Sequence, residues 1–207
     1  MRVYVARHGE TTWNVEGRYQ GRRESDLSPL GMRQAYALGE AAAALGLQRV
    51  VSSPLRRCVE SASPSAERLG LALETDDTLI EIAHGTWEGR LRDEIAANDP
   101  ERYRAWRSDP AHVAFDGGET VAQVQERWLA FARRPVSAPT LVVTHDAVVR
   151  VALLAATARP LDAFWDVRVE NAGYAVFESG ARGWSVVDEC VVGHLGRLRA
   201  ATEGQAL

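Results

Sequence analysis

Residues 2–21 read RVYVARHGETTWNVEGRYQG, and the change of character at Arg7 decides the fold. Arg2 to Ala6 is a short β-rich run that stops at Arg7-His8-Gly9, after which a polar stretch continues to about Pro29. That pattern predicts a strand delivering its end into a long loop. Outward from it, GMRQAYALGEAAAAL (31–45) predicts a helix stopped by Gly46, and RVVSS (49–53) a second strand. Pro54 suits the first turn of a helix through RRCVESASPSAERL (56–69), with Pro64 expected to divide or kink it.

Further along, LALET (71–75) reads as a third strand, and LRDEIAAN (91–98) and PERYRAWR (100–107) as two short helices of an insertion covering the sheet. DPAHVAFDGGE (109–119) has loop composition, and TVAQVQERWLAFA (120–132) returns to helical spacing. TLVVTH (140–145) is a buried strand ending in His145, AVVRVALLAATA (147–158) a helix, and GYAVFES (173–179) with GWSVVDE (183–189) a terminal strand pair. Strands alternating with helices predict one α/β domain over residues 1–207, a three-layer sandwich with a mainly parallel central sheet flanked by helices.

The composition narrows the chemistry. All 24 basic residues are arginine, so a Walker-type phosphate loop and Schiff-base catalysis are excluded. A net charge of −4 argues against nucleic-acid binding, which needs a basic face. Cys58 and Cys190 lack metal-ligand or disulfide spacing, and no apolar run approaches a membrane span; a soluble, cytoplasmic protein is expected. There is no D-x-D pair, no arginine six residues after either cysteine, and no H-E-x-x-H.

In open parallel sheets, ligands bind beyond the carboxyl ends of the strands, where His8 and His145 are expected. Arg7 ends the first strand and Arg57 lies one helical turn past the second. Guanidinium forks bind phosphoryl oxygens and a neutral imidazole can attack phosphorus, so this set points to a phosphate site. Glu81, after the third strand, can reach the same rim as proton donor, with Glu88 as its competitor seven residues on.

These motifs resemble the histidine phosphatase, or phosphoglycerate mutase-like, superfamily. RHGETTWNVEGRYQG is similar to RHGxTxxNxxxRxQG, SSPLRRCVESA to SSxLxRAxxTA, LIEIAHGTWEG to LxExxxGxWEG, DGGET to the GGES-like loop and VVTHDAVVRVAL to VSHGGVIRxLL, together spanning Arg2 to about Leu154. The resemblance implies a phosphohistidine on His8. Arg7, Arg57 and His145 would bind phosphoryl oxygens, and Glu81 would act as acid and then base. Asn14, Gln20 and the Gly21 amide would add hydrogen bonds, with no metal or other cofactor needed.

The resemblance extends to metal-independent phosphoserine phosphatases of the superfamily, in the EIxHGxW segment, a W-x-x-x-P-H-x-V-x-F-x-GGE loop and a late HLG. Here these read EIAHGTW from Glu81, Trp106 to Glu119, with His112 one place later than in the pattern, and His194-Leu195-Gly196. L-Phosphoserine is the substrate this implies, with His84 and His194 recognising its carboxylate or amine end and the tail folding back over the pocket. A phosphoglycerate mutase, and phosphatases for α-ribazole phosphate or a phosphosugar, share the core motifs; the compact chain lacks the longer insertion of cofactor-dependent mutases. Asp146 stands where the family has glycine, and is expected to cap the helix after His145, the alternative being to meet a substrate ammonium. Fold analogy alone suggests a homodimer.

Overall fold

The computed structural model describes residues 1–180, 183–200 and 205. Six strands form one sheet: β1 (Arg2–Arg7), β2 (Arg49–Ser52), β3 (Leu73–Thr75), β4 (Thr140–Thr144), β5 (Tyr174–Gly180) and β6 (Gly183–Val191), in the order β3-β2-β4-β1-β5-β6. The first four run parallel, with Val3 opposite Thr140 and Arg49 opposite the same residue. β5 is antiparallel to β1, and the β5–β6 hairpin completes the edge. The sheet is thus mainly parallel, as the alternation of elements predicts.

Successive strand residues point to opposite faces, and this period of two sorts the core. Val3, Val5, Val51 and Val142 pack with Trp87, Trp106, Trp128 and Phe164 on one side; Tyr4, Ala6, Val50, Leu141 and Val143 pack with Leu38, Ala42, Cys58 and Ala62 on the other. Both faces are covered, which is why β4 reads as a continuous apolar run rather than an alternation.

The helices are α1 (Thr12–Glu16), α2 (Pro29–Ala42), α3 (Arg56–Leu69), α4 (Arg92–Asn98), α5 (Pro100–Ser108), α6 (Val121–Ala132) and α7 (Asp146–Ala156). α2 begins two residues before the expected start, because the Ser28 hydroxyl caps it by accepting from the Gly31 amide and Pro29 fits the first turn. Pro64 lies inside α3 and does not divide it, so of the two outcomes expected there the division is absent. The neighbouring helix comes close at this point: a Cβ on Gly39 of α2 would lie 3.0 Å from the Pro64 ring. Among the described residues no helix is long and apolar enough to cross a membrane.

Candidate active site

The parallel strands end together, and their carboxyl ends bring the chemistry-bearing residues to one place. Arg7 closes β1, His8 follows it, Ser52 and Ser53 lie at the end of β2, and His145 follows β4. Arg57 projects from the first turn of α3 and Glu81 from the segment after β3. Arg7, His8, Gln20, Gly21, Arg57, Glu81, His84 and Asp146 border a cavity of about 10 Å³. A much larger cavity, about 540 Å³, lies under the β5–β6 hairpin between Trp128, Phe177 and Trp184. It gathers none of the candidate catalytic groups, so the chemistry belongs to the small one.

His8 is buried, and its Nδ1 lies 2.7 Å from the Gly9 carbonyl oxygen. A carbonyl only accepts, so Nδ1 carries the proton and Nε2 keeps its lone pair. Burial, then the Arg57 and Arg7 guanidinium groups, holds the imidazole well below its usual range, hence neutral. The His145 ring meets it edge-on with centroids 5.3 Å apart. His145 stands beside His8 and outside the cavity wall; its Nε2 is 2.8 Å from Ser53 Oγ and 3.3 Å from Cys58 Sγ. Burial followed by Arg57 and His8 keeps this imidazole neutral too.

Arg57 is fully buried, and donates to the carbonyl oxygens of Arg23 at 2.8 Å and Gly21 at 2.7 Å, clamping the loop after α1 over the site. Among the described residues its Nε has no partner, nor has the Nε of Arg7. Buried polar groups are nearly always satisfied, so unpartnered N–H groups around one cavity mark a ligand's place.

Glu81 and Glu88 separate cleanly. Glu81 borders the cavity, its Oε1 accepting from the Ile82 amide at 2.9 Å. Burial pushes its carboxyl up to about 7 against the pull of that amide and of Arg57, with Asp146 adding to the rise. Glu88 instead braces the loop: its Oε1 accepts from the amides of His84 at 3.0 Å and Arg22 at 3.2 Å. Gly21 has φ +52°, and a Cβ there would come within 2.1 Å of that oxygen.

The other sequence-predicted residues divide. Gln20 reaches the cavity while its Oε1 accepts from Ser25 and Thr11. Asn14 is set back and forms the capping box of α1 with Thr11, leaving its Nδ2 buried and without a partner among the described residues. His84 is buried in a box of Tyr19, Trp106 and Phe115 with both ring nitrogens unpartnered, and borders the cavity. Burial, then Arg57, pushes it down to about 3, so it meets a ligand as a neutral donor or acceptor.

Two expectations need correction. His194 does not reach the cavity: its Nε2 donates to the Ala172 carbonyl at 2.9 Å and its ring lies against Tyr174, docking the tail on the start of β5. Asp146 does not cap α7, whose N-cap is His145; its carboxylate turns sideways to Arg7 at 3.0 Å and to Arg150. The i, i+4 spacing of Asp146 and Arg150 carried that signal. Sequence reasoning also missed Gln205, whose Oε1 accepts from Arg7 Nη2 at 2.8 Å while its Nε2 donates to Asn171 Oδ1 at 2.9 Å. That contact places Gln205 against Arg7; the rest of the tail expected to fold over the pocket, residues 201–204, 206 and 207, lies outside the described residues.

The family model of the histidine phosphatase superfamily (branch 1) matches residues 3–191. The chain belongs to this superfamily. Phosphoserine phosphatase 1 of Hydrogenobacter thermophilus is 34% identical over 202 residues, 96% of each chain. A Klebsiella pneumoniae protein named "Probable phosphoglycerate mutase GpmB" is 31% identical, covering 94% of this chain and 95% of its own. Among solved structures, Bacillus stearothermophilus YhfR superposes with a TM-score of 0.88 at 31% identity, over 94% of this chain and 98% of that one. At this level the chain is a histidine phosphatase family phosphatase, and its relatives' names differ in substrate.

Proposed function

We propose that this histidine phosphatase hydrolyses a small phosphomonoester, L-phosphoserine first, by way of a phosphohistidine on His8. The observation that carries the reading is the convergence of unpartnered N–H groups, on Arg7, Arg57 and His84, upon one cavity with His8 and Glu81 on its wall. His8 Nε2 attacks phosphorus, the ester P–O bond breaks, and the departing alkoxide takes the proton of Glu81. Water then attacks the phosphohistidine, giving its proton to the Glu81 carboxylate. The P–N bond breaks, phosphate leaves, and His8 regains its lone pair. Arg7 and Arg57 stabilise the charge on the phosphoryl oxygens, while His145 packs beside His8, and the two guanidinium groups supply the electrostatics without calling on a metal.

Phosphoserine is favoured by His84, a neutral imidazole in an aromatic box on the cavity wall, and by the 34%-identical relative named for that substrate. The mutase-named relative keeps isomerisation as the second reading. Phosphate release from L-phosphoserine, 3-phosphoglycerate, α-ribazole phosphate, a phosphosugar and an aryl phosphate, with and without chelator and beside a mutase assay, tests both. Preferred, chelator-resistant hydrolysis of phosphoserine is expected; isomerisation of phosphoglycerate without phosphate release would replace the hydrolase reading while leaving His8 as carrier.

A further inference from the structure

Asp146 puts a carboxylate on the wall of a cavity assigned above to an anion. By charge alone it should repel that anion, so its presence asks for a compensating role. The role is legible in its partners. Oδ2 lies 3.0 Å from Arg7 Nη1, and Oδ1 accepts from Arg150 Nε. Both side chains of the Arg7–Asp146 pair are about 4% exposed, which removes the solvent screening that makes surface pairs weak. Arg150 is itself fixed. Its Nη1 donates to the carbonyl oxygens of Phe164 and Val167, and its guanidinium lies over the rings of Phe164 and Trp165 at 5.3 and 5.0 Å.

A chain of contacts therefore runs from the packed 164–167 segment through Arg150 and Asp146 to Nη1 of Arg7. On the opposite edge of Arg7, which borders the cavity, Nε has no partner among the described residues, and Nη2 donates to the Gln205 amide oxygen. That edge is the planar fork that pairs with two phosphoryl oxygens.

We propose that Asp146 is a positioning residue for phosphoryl binding, tying Arg7 to Arg150 so that the Nε–Nη2 edge of Arg7 faces the phosphoryl group. The inference rests on the phosphoryl reading of the cavity. It makes a prediction opposite in sign to simple charge repulsion. Removing the carboxylate frees Arg7 to swing, and anion binding weakens even though a negative charge has been taken away.

The test is calorimetric binding of inorganic phosphate, at fixed pH and ionic strength, to the wild-type protein, Asp146→Asn, Arg7→Ala and the double variant. Asp146→Ser, with a small polar residue suited to a helix start, stands in if the amide variant does not fold. The expected result is weaker binding by about 10- to 100-fold in the Asp146 variants, the scale on which misplacing one group acts. No further loss is expected when Asp146→Asn is added to Arg7→Ala. With an aryl phosphate, KM should rise more than kcat falls. Phosphate affinity that is unchanged or increased in a folded Asp146 variant overturns the inference and leaves the phosphoryl reading standing. A wild-type protein that does not bind phosphate overturns both.

Discussion

The Nδ1 of His8 lies 2.7 Å from the carbonyl oxygen of the next residue, Gly9, and that contact selects the atom that can act. With the proton held on Nδ1, only Nε2 is free to attack phosphorus. His8→Ala should lower turnover on the order of 10⁴-fold or more, as loss of a nucleophile does. Rapid acid-free quenching with labelled substrate should trap an acid-labile phosphoryl group on wild-type protein and none on the variant. Label on any other residue would move the nucleophile away from His8.

Glu81 sets the expected pH dependence. Its carboxyl is pushed up to about 7 by burial, opposed by the Ile82 amide and Arg57, with Asp146 raising it and Arg127 lowering it. In the proposed reaction the protonated form acts, so kcat/KM for an alkyl phosphate should fall as pH rises through about 7. His8 and His145, both held neutral by burial and the neighbouring arginines, should contribute no limb at their ordinary values. Glu81→Gln should abolish that limb and cost about 10²- to 10⁴-fold on alkyl esters, with a smaller loss on aryl phosphates whose leaving group needs no proton. A pH profile unchanged in Glu81→Gln would assign the acid elsewhere.

Glu88 gives the complementary prediction. Its Oε1 accepts two amide hydrogens, a task that a glutamine carbonyl can repeat, so Glu88→Gln should keep activity within a few-fold. Gly21→Ala, by contrast, forces a left-handed residue and drives a Cβ into that same oxygen. A cost of about 1–3 kcal/mol is expected for such a conformation, before any loss of contacts, and urea unfolding would measure it. A neutral Gly21→Ala would show that the loop relaxes without Glu88.

What could be read from the chain and what could not divides along the range of the interaction. The ends of β1, β2 and β4 are marked by a change from apolar to polar residues, a local signal, and Arg7, His8, Arg57 and Glu81 follow from it together with the motifs they sit in. Asp146 was legible as an acidic residue at a helix start, four places before Arg150; its other partner, Arg7, is 139 positions away in sequence and adjacent only because β1 and β4 pair in parallel. His194 failed for a similar reason. Its neighbours, Ala172 and Tyr174, are set by where the tail crosses the start of β5, and no spacing in GHLG announces that. That Pro64 would leave α3 undivided was not legible, because helix propensity is a local average.

The proposed preference for phosphoserine rests on His84. It lies three residues after Glu81 along the chain, yet the box of Tyr19, Trp106 and Phe115 turns its ring to the cavity with both nitrogens unpartnered. Pushed down to about 3 by burial and Arg57, it stays neutral, so it would hold the carboxylate or amine end of phosphoserine by one hydrogen bond rather than by charge. Replacing it by alanine leaves His8, Arg7 and Arg57 in place, so an aryl phosphate, which offers no such group, should lose little. Phosphoserine should lose about 10-fold or more in kcat/KM, the scale of one buried hydrogen bond left unmade. Phenylalanine at 84 separates the two contributions: it keeps the aromatic packing and removes the nitrogens, so a loss confined to phosphoserine in both variants identifies the hydrogen bond, while equal losses on both substrates would leave His84 as a packing residue and return the choice of ester to other groups on the wall.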